Sequence, residues 1–218
     1  MVFLAASLSV VILSGYFGLN QSTIESFVSK NQSSTALIYT LLFIGLTSFS
    51  FSVSVITGVG VLFFPSFKII IYAMMGIMGS SIIDFYISRK LGRNYIKNYL
   101  EKRGGKLEKF EETVEKNPFK TTFILSAIFF VPPTIPNFLG GIMKINLKNY
   151  AIATFLGNIL NTIFTIYLIE GFLYPNPYKI SISIAGLIFV TSVSLYFYKG
   201  EIKDILKISF PWSFRKIK

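Results

Sequence analysis

Apolar residues run in long blocks along this chain, separated by short polar stretches, and block length more than fine periodicity predicts its elements. Six segments stand out: Val2–Leu19, Ala36–Phe64, Phe67–Ser88, Thr121–Ile145, Tyr150–Leu173 and Tyr178–Tyr198. The first, third, fifth and sixth are continuous and close to the roughly 20 residues that a bilayer-crossing helix needs. The other two are interrupted. Within Thr121–Ile145, the run Phe129-Phe-Val-Pro-Pro-Thr-Ile-Pro-Asn-Phe-Leu-Gly-Gly141 puts three prolines into membrane-grade sequence. Each proline removes a backbone donor and disrupts the turn before it, so in lipid such a segment needs protein or water beside it. Ala36–Phe64 has a Ser/Thr/Gly-rich middle and is followed by Pro65. Its length fits either one tilted span or a hairpin that enters and leaves on one face.

Charge placement decides between these. Ten of the 21 Lys/Arg lie between Arg89 and Lys120, and six lie between Lys199 and Lys218. If Thr121–Ile145 crossed the bilayer, three crossings would separate these basic regions and put them on opposite sides. Both satisfy the positive-inside rule only if the proline segment dips in and returns to the cytoplasmic face. With a cytoplasmic N-terminus and a weakly charged outer loop at Asn20–Ser34, the same count makes Ala36–Phe64 a second hairpin, entering from the other face. The predicted fold is therefore all-α: a multi-span membrane protein with two oppositely oriented re-entrant hairpins, an inverted repeat, and about four full transmembrane helices. Residues 1–35 form an N-terminal transmembrane helix and outer loop. Residues 36–173 form the membrane domain, comprising 36–88 as first half, 89–120 as basic cytoplasmic loop and 121–173 as second half. Residues 174–218 hold the last helix and a basic tail. Gly76, Tyr86 and Arg89 in the first half recur at the same spacing as Gly157, Tyr167 and Glu170 in the second.

Composition agrees with lipid as the solvent: 52% hydrophobic, 17% aromatic and 14% charged residues, with a mean hydropathy of +0.61. The net charge of +11 is clustered beside apolar spans, which fits cytoplasmic loops better than a nucleic-acid surface. The chain has neither cysteine nor histidine, so thiolate chemistry, the usual general base and the commonest metal ligand are all missing. No catalytic group, metal site or cofactor is expected, and the chain is not expected to be an enzyme.

The candidate chemistry lies in the two halves. Asp84 sits one turn inside its span, where an ionisable group is costly unless it faces protein or water. Arg89, five residues on, does not share its helix face and is expected to meet a phosphate or a group on the other hairpin. Glu170 closes the matching span. Gly76 and Gly79 allow close helix approach. Gly157, Asn158 and Asn161 make a small, polar stripe in which the asparagines either bond across helices or contact a headgroup. Ser126 and Asn137, beside carbonyls freed by Pro132, Pro133 and Pro136, offer polar contacts to a headgroup or ion.

The run Gly79-Ser-Ser-Ile-Ile-Asp-Phe85-Tyr-Ile-Ser-Arg89-Lys-Leu-Gly92-Arg, a basic amphipathic loop, and Val131-Pro-Pro-Thr-Ile-Pro-Asn-Phe-Leu-Gly-Gly141 follow one another in an order that resembles the DedA family, which shares the VTT (SNARE-associated) domain. Phe85, Arg89 and Gly92 match its aromatic-x-x-x-Arg-x-x-Gly pattern, and the resemblance covers roughly Ala36–Leu173. It implies two facing re-entrant hairpins and a lipid scramblase, or a transporter of phospholipids or polyprenyl-phosphate carriers. Many bacterial members carry an acidic residue in the first hairpin and arginines flanking the second proline site. This chain has Ser/Thr in the first and Ser126, Ile128 and Pro133 around the second, which favours uncoupled lipid movement over proton-coupled transport of an anionic lipid.

The expected function is movement of lipid headgroups through a groove between the hairpins, with Asp84, Arg89, Ser126, Pro132, Pro133, Pro136, Asn137, Gly140, Gly141 and Asn158 as substrate-binding residues. Membrane lipids, anionic headgroups among them, are the expected partners, together with a possible homo-oligomer, and nucleic acid is not. The expected location is the cell membrane, with both termini cytoplasmic. The alternatives are a small-solute or ion transporter and a non-transporting scaffold that recruits partners through Arg93–Lys120.

Overall fold

The computed structural model describes residues 32–49, 51–92, 117–129, 131, 134–142 and 145–196. The expected span Val2–Leu19, most of the basic loop, Pro132, Pro133 and the basic tail lie outside the described residues. Everything regular among the described residues is helical: α1 Gln32–Ser48, α2 Val53–Phe63, α3 Ser66–Ile87 with a π-helical extension Ser88–Gly92, α4 Pro118–Ala127, α5 Thr134–Ile142, α6 Leu147–Leu173 and α7 Pro177–Tyr196. The starts are written locally. Pro118 and Pro177 open α4 and α7 at the first helical position, where a missing N–H costs nothing. Asn146 Oδ1 accepts the Lys148 N–H at 2.9 Å, and Asn176 Oδ1 the Lys179 N–H at 3.1 Å, capping α6 and α7.

Among the described residues, three helices are long and apolar enough to cross a membrane: Ser66–Lys90, Leu147–Leu173 and Pro177–Tyr196, of 25, 27 and 20 residues. At 1.5 Å per residue each reaches about 30 Å or more, the thickness of the hydrocarbon core. Their outward faces suit lipid, with Ile71, Met75, Leu160, Tyr178, Ile182, Ile188 and Phe189 exposed. The two interrupted segments form helix–break–helix pairs, α1 with α2 and α4 with α5, and the arms of each pair pack on each other. α2 has 11 residues, α4 10 and α5 9, each short of that thickness, and α1 is described over 17.

The chain divides into two compact units, one from the described residues of Met1–Ser80 and Ile159–Ile188, the other from those of Ser81–Asn158 and Phe189–Lys218. In the first, α1 and α2 close on the N-terminal part of α3 through Tyr39, Phe43, Ile56, Phe64, Ile69 and Ile77, with Ile166 and Ile169 of α6 completing the core. The Tyr39 hydroxyl donates to the Ile56 carbonyl at 3.1 Å, tying the two arms, and its ring meets Phe43 and Phe64 edge-on. Close approach rather than hydrophobic expulsion drives helix association in lipid. Gly76 meets that need: a Cβ there would stand 2.5 Å from the Phe43 ring. At the break, the N–H groups of Phe49 and Phe51 both reach the Leu46 carbonyl at 3.1 Å, so these two donors are met within the turn. Glu170, 7% exposed, accepts from the Ser66 hydroxyl and pairs with Lys179 at 3.0 Å.

In the second unit, α4 crosses the N-terminal part of α6 at Gly157, where a Cβ would stand 2.6 Å from the Phe123 carbonyl and 2.7 Å from Ser126 Cβ. Gly76 and Gly157 are 81 residues apart. Each is the point at which the first arm of a hairpin crosses the span that follows it. On α4's own end, the Phe129 N–H lies 3.5 Å from Thr191 Oγ1 of α7, at the outer limit of a hydrogen bond.

Candidate functional site

The second unit gathers most of the described candidate residues around Phe85. This ring is fully buried on the last turns of α3, stacked on Tyr150 of α6 at 4.7 Å between centroids. The Arg89 guanidinium lies 4.5 Å from the Phe85 ring centroid, in a cation–π contact. Gly140 of α5 completes the layer: a Cβ there would stand 2.5 Å from the Tyr150 ring. Gly141 lies against Ser88 and the Phe85 carbonyl, leaving no room for a side chain.

A polar chain runs beside this stack. Asp84, 4% exposed, and Asn137, 2% exposed, are both buried. Asn137 Nδ2 donates to Asp84 Oδ2 at 2.9 Å. The Tyr150 hydroxyl donates to Asn137 Oδ1 at 2.8 Å and stands 3.3 Å from the Ser81 carbonyl. Three helices that are far apart in sequence, α3, α5 and α6, are thus joined by polar atoms shielded from solvent. Such a network is stabilising only when its members are satisfied. Asn137 uses both ends of its amide here, so the carboxylate is answered from the proline-broken hairpin.

Arg89 answers the end of that hairpin. Its Nη2 donates to the Ile145 carbonyl at 2.7 Å and its Nε to the Gly141 carbonyl at 3.3 Å. The last carbonyls of a helix have no intrahelical partner, and a cation placed there also suits the negative end of the helix dipole. Of the two partners expected for Arg89, a phosphate or a group on the other hairpin, the structure describes backbone oxygens of the latter.

The remaining candidates are dispersed. Pro136 is buried on α5, while Pro132 and Pro133 lie outside the described residues. Ser126 is buried on α4 at the Gly157 crossing. Asn158 turns onto its own helix, donating to the Thr154 carbonyl at 2.9 Å. Tyr150 is the member that sequence reasoning passed over, treating it as the boundary of a span. An aromatic with a polar tip near a helix entrance is common as an interfacial anchor, so nothing local marks it as the partner of Asn137. Among the described residues no group of three or more acidic residues is placed to hold a metal ion.

The family model described as VTT domain matches residues 51–171, which takes in α2, α4, α5 and the whole of the Phe85 site. No curated protein and no solved structure matches the chain.

Proposed function

The chain belongs to the VTT domain (DedA) family, and on that premise we propose that it is an integral membrane lipid scramblase or lipid-carrier transporter, acting on phospholipids or polyprenyl phosphates and not as an enzyme. The observation that carries this reading is the pair of helical hairpins in which α2, α4 and α5 are too short to cross, set among helices that are long enough. A headgroup resists crossing because its polar and charged atoms lose water in hydrocarbon. A hairpin that ends inside the membrane brings turns and helix ends, hence polar backbone groups, to depths where a continuous span has none. A headgroup can trade its water for such groups while its acyl chains remain in lipid, and the barrier falls.

In this reading both hairpins are re-entrant and enter from opposite faces as an inverted repeat, with both termini cytoplasmic in the cell membrane. The clustering of basic residues supports it, as does the like placement of Gly76 and Gly157 at the two hairpin crossings. Arg89 and the basic loop gather anionic headgroups at the cytoplasmic surface.

The test is reconstitution of the purified chain into liposomes carrying tail-labelled fluorescent lipids in both leaflets, followed by a membrane-impermeant quencher. Loss of signal well beyond the outer-leaflet fraction is the expected result. Bleaching confined to that fraction for phospholipids and polyprenyl phosphates alike refutes the proposal. A small-ion transporter is the second reading, favoured by the burial of Asp84. It predicts flux that follows a pH or sodium gradient and is abolished in Asp84→Asn, with no lipid redistribution.

A further inference from the structure

The hydroxyl of Tyr150 does something that the ring does not. The ring, stacked on Phe85 and pressed against Gly140, fills the space between α3, α5 and α6. The hydroxyl joins α5 through Asn137 and approaches α3 at the Ser81 carbonyl. Of the helices it joins, α5 is the one with the least hold of its own. It has nine residues, too few for a stable isolated helix. Its position therefore depends on what grips it from outside.

The other unit builds the corresponding grip from different side chains. At the 81-residue spacing that relates Gly76 to Gly157, Asn137, Tyr150 and Phe85 correspond to Ile56, Ile69 and Ile166. Those three isoleucines belong to one apolar core cluster that holds the first hairpin. At these three positions one joint in the chain thus presents apolar side chains, with the Tyr39 hydroxyl bonded to the Ile56 backbone beside them, and its counterpart presents a buried chain of side-chain hydrogen bonds. An apolar contact yields gradually and tolerates sliding, whereas a hydrogen-bonded joint in a dry setting is either made or broken.

We propose that Tyr150 is a positioning residue whose hydroxyl, through Asn137, helps to fasten α5, the second arm of the proline-broken hairpin, alongside Arg89 at its C-terminal end and Asp84, and that release of this bond loosens the arm. The inference rests on the lipid-moving reading for its purpose, since movement of α5 would open the broken hairpin to headgroups. The fastening itself is a property of the chain that stands apart from that purpose. The substitution Tyr150→Phe separates the two roles of the residue, keeping the ring and removing the hydroxyl.

The absence of cysteine allows a single reporter thiol. Ile142→Cys places one on α5 at a buried position, and Ala73→Cys places a control on α3 in the other unit. In liposomes, Tyr150→Phe is expected to raise the maleimide labelling rate at residue 142 on the order of tenfold, the effect of losing one or two intramembrane hydrogen bonds, and to leave residue 73 unchanged. Transbilayer movement of tail-labelled phospholipid is expected to rise by a similar factor. Asn137→Leu, which removes the Asp84 bond as well, is expected to raise both rates at least as much, and Tyr150→Phe is expected to add little to it. Unchanged labelling at residue 142 in both variants overturns the proposal, and so does equal acceleration at residue 73, which marks general loosening. Faster labelling at residue 142 in a protein that moves no lipid upholds the fastening and rejects the lipid-moving reading.

Discussion

Arg89 donates to the Ile145 carbonyl at 2.7 Å across a sequence separation of 56 residues, binding the end of one span to the segment that leads into the next. The same side chain reaches the Gly141 carbonyl and covers the Phe85 ring. Arg89→Ala leaves two carbonyls without this donor, and because the side chain is partly open to solvent the expected loss is about 1–2 kcal/mol. Arg89→Lys recovers little, since an ammonium cannot reproduce the planar fork that serves both oxygens and the ring together. Thermal unfolding in detergent should rank the three proteins as wild type, then Lys, then Ala; a lysine variant as stable as wild type would discount the fork.

Asp84 separates charge from hydrogen bonding. Asp84→Asn keeps an oxygen able to accept from Asn137 Nδ2, and its stability cost is expected to stay under about 1 kcal/mol. Asp84→Leu leaves that buried amide without an acceptor, for an expected loss of about 1–3 kcal/mol. Chemical denaturation in mixed micelles reads the difference. In the lipid assay Asp84→Asn is expected to retain activity, whereas its loss together with a gradient-driven flux would favour the ion-transport reading.

The glycines are not equivalent. Gly45 has nothing within 4 Å of an added Cβ, and Gly45→Ala in the interior of α1 is expected to be neutral or stabilising by up to about 1 kcal/mol. At Gly76 the obstacle is the Phe43 side chain, which can turn. At Gly157 it is the Phe123 carbonyl and the Ala127 amide, 2.6 and 3.2 Å away, which move only with α4 itself. Gly157→Ala is therefore expected to cost about 1–3 kcal/mol and Gly76→Ala less. Melting temperatures in one detergent give the order directly.

Single cysteines at Lys120 and Lys148, both exposed and flanking the second hairpin, are expected to react with a membrane-impermeant maleimide from the same side. Labelling from opposite sides would mean that α4 and α5 together cross the bilayer and would remove the re-entrant topology from the proposal.

The interruptions were legible because they depend on backbone chemistry: proline at Pro136 and its neighbours allows no continuous helix. The first break was less so. Its Ser/Thr/Gly-rich stretch spans many residues, and α1 stops at Ser48 and α2 begins at Val53 while Gly58 and Gly60 remain helical, because glycine permits a turn without requiring one. Asp84 was visible as a costly residue in an apolar run. Its bond to Asn137, 53 residues away, was not, since either side chain alone is equally compatible with a headgroup, an ion or water. The packing role of Gly76 was readable from small-residue spacing, whereas the choice of Phe43 as its partner came only with the fold.

The core of the first unit draws on Ile166 and Ile169 as well as on residues as early as Ala36. During synthesis at about 5–20 residues per second, the stretch from Ile77 to Ile166 takes on the order of 5–20 s to emerge. Throughout that interval the first hairpin has left the ribosome without the helix that closes its core. Tyr39, Phe43 and Ile69 must then be shielded by lipid or by the insertion machinery, so truncation before α6 should yield a hairpin that enters the membrane and is cleared by quality-control proteases.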